Sequence, residues 1–234
     1  MISNGKFYES QFEEATIELL REAHWQYAFG DDIHRKYTDP LIEEDLRNFL
    51  TVQYKDKNLT TSEMDSIVAN LRNTGGQNDY YALRNAFLLY RDGYDFAYSD
   101  GRDNPFRLEY IDFEHPDHNI FRCVNQFVME QGRENRRPDI LLFINGIPVC
   151  IIELKNPTKQ NATIHDAHTQ ICTRYMRDIP ALLKYCALAV ISDGAKNALG
   201  TTYTPFEFFY EWKKIENEDK AGNCLLYTSP SPRD

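Results

Sequence analysis

Arg136-Arg137-Pro138-Asp139, Ile140-Leu141-Leu142-Phe143-Ile144, Asn145-Gly146, Ile147-Pro148-Val149-Cys150-Ile151-Ile152 and Glu153-Leu154-Lys155 follow one another without interruption. Two apolar runs rich in β-branched residues, split by Asn-Gly, predict a pair of adjacent antiparallel strands. Asp139 then stands at the rim of one strand, and Glu153 and Lys155 at the rim of the other. Two such carboxylates suit Mg²⁺, a hard cation that takes few protein oxygens, keeps several waters and binds phosphates. A neighbouring lysine can offset charge on a phosphate or help activate a metal-bound water. The set points to metal-assisted phosphodiester hydrolysis. A Pro-Asp turn and a solvated Glu-x-Lys pair are the ordinary alternative for the same residues.

Strand parity decides between the two. A two-residue type I′ turn at Asn145-Gly146 pairs Ile144 with Ile147 and Asp139 with Ile152, which turns Glu153 and Lys155 away from Asp139. A three-residue loop, Ile144-Asn145-Gly146, shifts the register by one and brings Asp139, Glu153 and Lys155 to one face. The catalytic reading therefore requires that odd loop or another bulge, for which Pro148 is the candidate because it cannot donate to the ladder.

The run from Arg136 to Thr158, RRPDILLFINGIPVCIIELKNPT, resembles the PD-(D/E)xK core of the motor (restriction) subunit of type I restriction enzymes. FEEATIELL (Phe12 to Leu20), IDFEHPDHNIFRCVNQF (Ile111 to Phe127) and RYMRDIPALLKYCALAVISDG (Arg174 to Gly194) resemble further blocks of that family in the family's order. The resemblance covers roughly residues 8 to 215. It implies an α/β fold, a restriction-endonuclease-like mixed β-sheet flanked by helices, with a helical N-terminal half. It implies Mg²⁺-dependent cleavage of double-stranded DNA, with Asp139, Glu153 and the Leu154 carbonyl on the metal, Lys155 as the catalytic cation, and Arg136 and Arg137 on DNA phosphates. It also implies modification (methyltransferase) and specificity subunits as partners, and an ATP-driven translocase following this domain. The expected setting is the cytoplasm of a prokaryote. The family's Gln and Tyr, separated by three residues on the next helix, correspond to Gln170 and Tyr175, here separated by four. Five-apart residues share a helix face poorly. Either the helix is locally overwound, or another pair serves and these two are an exposed amide and a half-buried phenol.

The 234-residue chain, 42% hydrophobic, is long enough for one sizeable domain with a real core. No apolar run approaches the roughly 20 residues of a membrane helix, and Met1-Ile2-Ser3-Asn4-Gly5-Lys6 lacks the apolar stretch of a signal peptide. The five cysteines show no CxxC spacing, which fits reduced thiols. The formal charge of −10 argues against an independent grip on DNA. Residues 133–178 carry +2, so the rest carries −12. An acidic nuclease is intelligible if other domains hold the DNA. No G-x-x-x-x-G-K-[ST] phosphate loop is present, and the ATP use that the resemblance implies is expected of a motor region outside this sequence.

Ser10-Gln11-Phe12-Glu13 predicts a capping box opening a helix with Phe12, Thr16, Leu19, Leu20, Ala23 and Tyr27 on one stripe, ended by Gly30-Asp31-Asp32. Glu13 is then a cap partner, and Glu14 a candidate acid from the first helix. Further helices are expected from Asp39-Pro40 to Leu50, from Thr60-Thr61-Ser62-Glu63 to Gly75-Gly76, and from Asn78 or Asp79 to Asp92-Gly93. Strands are expected over Arg107 to Phe113, Phe121 to Met129, Asp139 to Ile144, Val149 to Leu154 and Leu188 to Ser192. Gln131 to Arg137 is expected to be a charged loop, and Ile164 to Met176 a helix with Thr163 near its cap. The aromatic-rich segment from Phe206 to Ile215 is expected to dock on the sheet. His165 and His168 lack a third ligand at suitable spacing and read as surface histidines.

The expected organisation is an endonuclease domain over 1–215, a polar linker start over 216–224, and a tail over 225–234. The tail, LLYTSPSPRD, resembles a translated sequencing adapter and is expected to be non-native and disordered. Two other functions remain open: a docking or architectural module of the same complex with weak or no activity alone, and a free-standing repair-type nuclease.

Overall fold

The structure, a computed structural model, describes residues 4–155, 163–194 and 196–211. The expected linker and tail, Asn156-Pro157 and Cys224 lie outside the described residues. Chain order begins α1 (Asn4–Glu22), β1 (Gln26–Phe29), α2 (Glu43–Gln53), α3 (Thr61–Asn73) and α4 (Asp79–Asp92). Next come β2 (Tyr94–Phe96), β3 (Phe106–Leu108), β4 (Phe121–Asn125), β5 (Met129–Gln131), β6 (Glu134–Arg136), β7 (Ile140–Ile144) and β8 (Ile147–Leu154). α5 (Ile164–Thr169) continues through a π-helical turn, Gln170–Tyr175, into α6 (Met176–Asp178) and α7 (Pro180–Leu183). β9 (Leu188–Ser192), β10 (Asn197–Gly200) and β11 (Tyr210–Glu211) complete the described elements.

Seven strands form one mixed sheet in the order β1-β4-β7-β8-β9-β10-β11. β1 with β4, and β8 with β9, are parallel; the other neighbours are antiparallel. The parallel step from β8 to β9 crosses over through α5 to α7, as parallel neighbours require. Those helices bury Ile171, Tyr175, Ile179 and Leu182 against Leu141, Phe143, Ile151 and Ile191 on one face of the sheet. The other face packs Ile140, Cys150 and Ile152 with Ile17 of α1. A second centre, Leu46, Leu50, Ile67, Leu71 and Tyr110, holds α2 to α4 with β2 and β3. A bidentate pair from Arg122 on β4 to Asp45 on α2, at 2.6 and 2.7 Å, joins this helical half to the sheet. This is the mixed sheet with flanking helices, and the helical N-terminal half, that the sequence led us to expect.

Caps appear where short-range chemistry placed them. Thr60 and Glu63 form a reciprocal capping box on α3, Asn78 accepts from the Tyr81 N–H on α4, and Thr163 caps α5. Several expectations need correction. α1 already contains Ser10, so no capping box opens it there, and the helix stops at Glu22. His24 adopts a left-handed φ of 68°, and Tyr27 lies on β1 rather than on the helical stripe. Gln126, at φ 54°, ends the strand expected over Phe121 to Met129, and the expected charged loop 131–137 is instead partly a β5–β6 hairpin. Of the expected Arg107 to Phe113 strand, only Arg107 and Leu108 lie in a ladder, as part of β3.

The central hairpin combines both registers weighed from sequence. Asn145 and Gly146 have φ of 51° and 76°, the two positive angles of a two-residue type I′ turn, and Ile144 pairs with Ile147. A Cβ on Gly146 would stand 2.1 Å from the Ile42 carbonyl oxygen, so only glycine fits. The ladder then skips a residue: Phe143 pairs with Pro148, but Leu142 pairs with Cys150. Val149 is the extra residue of a β-bulge beside the proline that cannot donate. Ile140 faces Ile152, and one step further the ladder sets Asp139 opposite Glu153. The turn is even, and the bulge restores the parity.

Candidate active site

Asp139 opens β7 where the carboxyl ends of β4, β8 and β9 converge. Its backbone carbonyl accepts the Gln126 N–H at 3.0 Å, and its Oδ2 accepts the Leu154 N–H at 2.8 Å. Those two bonds fix the aspartate between its strand neighbours. Glu153 is fully buried, at 0% exposure. Its Oε1 accepts from Lys155 Nζ at 2.7 Å and from Gln170 Nε2. Its Oε2 is buried and has no hydrogen-bond donor among the described residues. Burial first, and then the charge of Asp139, push the Glu153 carboxyl up to about 8, while Lys155 pulls the other way.

Lys155 was expected at an exposed rim; its side chain is largely buried beside Glu153. Its backbone N–H donates to the Ser192 carbonyl at 2.8 Å, which anchors it to β9. Gln170 and Tyr175 meet directly: Gln170 Nε2 donates to the Tyr175 hydroxyl at 2.7 Å. The helix is not overwound to bring them together. It is underwound, because the π-helical turn Gln170–Tyr175 replaces i→i+4 by i→i+5 bonding and brings the fifth residue back over the first. Burial, then the charge of Glu153, hold the Tyr175 phenol well above its usual pKa. Asp139, Glu153, Lys155, Gln170 and Tyr175 thus form one connected cluster.

The arginines divide. Arg136 binds buried Asp178 at 2.6 Å and Glu134 at 2.5 Å, which ties β6 to α6. Arg137 is half exposed, with Asp31 at 3.8 Å. On α1, Glu14 is exposed, whereas Glu13 accepts from Asn125 Nδ2 at 2.7 Å and Gln126 Nε2 at 3.1 Å. Since the Gln126 N–H holds the Asp139 carbonyl, Glu13 braces the loop beside the carboxylates. Reading Glu13 as a cap partner missed this. The usable signal was its i,i+4 spacing to Ile17, which packs on the sheet, while Leu19 on the expected stripe is 66% exposed. His165 and His168 pack with Phe206, and His168 Nε2 donates to the Thr204 carbonyl at 2.9 Å. With no third residue do they form a metal-ligating group among the described residues.

The donor set fits a hard divalent cation. Two carboxylates share one face, a buried oxygen lacks a donor, and the pair's mutual repulsion is only partly offset by one lysine. The four described cysteines are free thiols, and no described helix is long and apolar enough to cross a membrane.

The family described as type I restriction enzyme R protein N terminus matches residues 6–208. The chain is 29% identical to the type I restriction enzyme HindI endonuclease subunit of Haemophilus influenzae, over 93% of this chain and 21% of the relative. It is 30% identical to a putative type I restriction enzyme MjaIXP endonuclease subunit of Methanocaldococcus jannaschii, over 88% of this chain and 20% of the relative. A type I restriction enzyme EcoprrI endonuclease subunit of Escherichia coli is 31% identical over 53% of this chain. The chain spans about a fifth of the length of the first two relatives. With the family match running from α1 to the aromatic segment near Phe208, the chain belongs to the type I restriction enzyme R protein N-terminal family.

Proposed function

We propose that residues 1–215 form a Mg²⁺-dependent endonuclease domain that cleaves double-stranded DNA within an ATP-dependent type I restriction complex. The observation that carries this reading is the bulge at Val149, which sets Asp139 opposite Glu153 and leaves a buried carboxylate oxygen without a donor. In this reading Asp139, Glu153 and the Leu154 carbonyl hold the ion. Bound there, Mg²⁺ supplies Lewis-acid polarisation of a phosphate oxygen and a more acidic water.

The chain's own groups do the rest. Lys155 positions the attacking water and offsets charge that develops on the phosphate. Gln170 orients Glu153 by donating to Oε1, and Tyr175 holds Gln170 in place by accepting from it. Arg137, with a weak partner, is free to meet a DNA phosphate, and Arg136 stiffens the same segment through Asp178. The net charge of −10 supports DNA being held chiefly by the modification and specificity subunits and by a motor region that uses ATP. Nicking of supercoiled plasmid by the purified chain, joined to its motor and partner subunits, tests the reading. Mg²⁺-dependent cleavage lost in Asp139→Asn supports it. Cleavage unchanged in that variant would leave the docking role in its place.

A further inference from the structure

The segment leading into β4 lies at the other end of the β7–β8 hairpin from the carboxylate pair. It carries a second group of ligand-type side chains, in the pattern Asp112-x-x-His115-x-x-His118. A short 3₁₀ turn, Pro116–His118, folds both imidazoles back on the aspartate. His118 Nδ1 lies 3.0 Å from Asp112 Oδ2, and His115 Nδ1 lies 3.7 Å from Asp112 Oδ1. The two rings stack with centroids 4.9 Å apart and planes 16° apart. One ligand atom from each residue falls within 4.8 Å of the others.

Ligands about 2.0–2.1 Å from a tetrahedral ion stand roughly 3.3 Å from one another. The two nitrogen–oxygen separations bracket that distance. We propose that Asp112, His115 and His118 form a binding site for a late first-row divalent cation of the Zn²⁺ class, distinct from the Asp139–Glu153 site. Two imidazoles with one carboxylate favour Zn²⁺, Co²⁺ or Ni²⁺ over Mg²⁺.

The carboxylate is held as a metal-ligating one usually is, by outer hydrogen bonds. Asp112 Oδ1 accepts the N–H groups of Glu114 and His115 at 3.1 and 2.8 Å, and Oδ2 accepts from Gln53 Nε2 at 3.1 Å. Asn119 clamps its backbone from both sides, at 2.9 and 2.7 Å. The histidine side chains are 61% and 51% exposed, so an ion enters from solvent and a remaining coordination position stays open. Asn145 Nδ2 donates to Asn119 Oδ1 at 2.8 Å, so an ion here clips the 109–120 segment onto the platform around the hairpin turn.

The test uses the tag-free 234-residue chain, stripped with chelator and titrated with Co²⁺, whose visible absorption reports tetrahedral nitrogen and oxygen ligation. Wild type and Asp139→Asn should each bind Co²⁺ at this site, displaced by Zn²⁺, and Zn²⁺ should raise the melting temperature. His118→Ala should bind roughly tenfold or more weakly while melting like wild type in chelator, since the ring is exposed. His165→Ala should bind as wild type does. Absence of a tetrahedral Co²⁺ spectrum in wild type overturns the proposal. So does a spectrum that survives His118→Ala, or one that is lost in His165→Ala or Asp139→Asn.

Discussion

The two ends of the β7–β8 hairpin are equally buried and oppositely finished. At the turn, Asn145 is 0% exposed. Its N–H donates to the Ile120 carbonyl and its Oδ1 accepts the Ile120 N–H. Its Nδ2 donates to the Tyr110 carbonyl and to Asn119. At the other end, Glu153 is just as buried, faces a second carboxylate and keeps one oxygen without a donor. Buried polar groups in a folded chain are normally satisfied, and exceptions concentrate where function needs them. One end of the hairpin serves stability; the other holds an imbalance that, in the proposed function, a cation would relieve.

Inserting one alanine after Val149 should have the largest effect, because the single-residue bulge can then no longer set Asp139 opposite Glu153. Either the second half of β8 turns over, exposing Ile151 and moving Glu153 away from Asp139, or the turn must rebuild. Cleavage should vanish and unfolding should lose cooperativity, read by plasmid nicking and urea titration. A variant that melts and nicks as wild type does would break the comparison. Asn145→Ala comes next. Loss of its side-chain bonds should cost about 3 kcal/mol in urea unfolding, with cleavage retained at temperatures where the variant is folded. A loss below about 1 kcal/mol would show that the turn network contributes little.

Lys155→Ala should lower cleavage by on the order of a hundredfold, the loss expected when one transition-state charge partner is removed. It should also lower metal-free stability, because Glu153 loses the cation 2.7 Å away, while Mg²⁺ binding persists. Wild-type nicking would refute its role. Tyr175→Phe should have the smallest effect. It removes the acceptor that seats Gln170, so cleavage should drop several-fold and stability by about 1 kcal/mol. An unchanged rate would detach the π-helical pair from the chemistry.

What was legible in the sequence was local. Thr60, Asn78 and Thr163 cap helices through atoms three residues away, and Asn145-Gly146 forms a turn because both residues tolerate positive φ. The Asp139, Glu153 and Lys155 cluster was legible as residue types, but its geometry hung on one skipped residue. Periodicity cannot choose where a ladder slips, and only the proline marked the place. The π-helical turn was beyond reach for a related reason. Gln170 and Tyr175 look out of phase until the insertion is absorbed by underwinding, which depends on packing against β8 and β9. His24 and Gln126 broke elements by taking left-handed φ, which non-glycine residues seldom do, so β1 and the β5–β6 hairpin went unseen.

The most direct test of the unbalanced end is the pH dependence of unfolding of wild type and Glu153→Gln in chelator and in Mg²⁺. The folded carboxyl of Glu153, raised to about 8, holds its proton where the unfolded one, at 4.5, has released it. Metal-free wild type should therefore lose stability relative to Glu153→Gln as pH rises between those values, because the native state binds more protons there. Mg²⁺ should recover that loss for wild type, more at pH 8 than at pH 5, and do little for the variant. Parallel pH profiles for the two proteins in chelator, with Mg²⁺ stabilising both alike, would contradict the assignment of the carboxylate pair as a cation site.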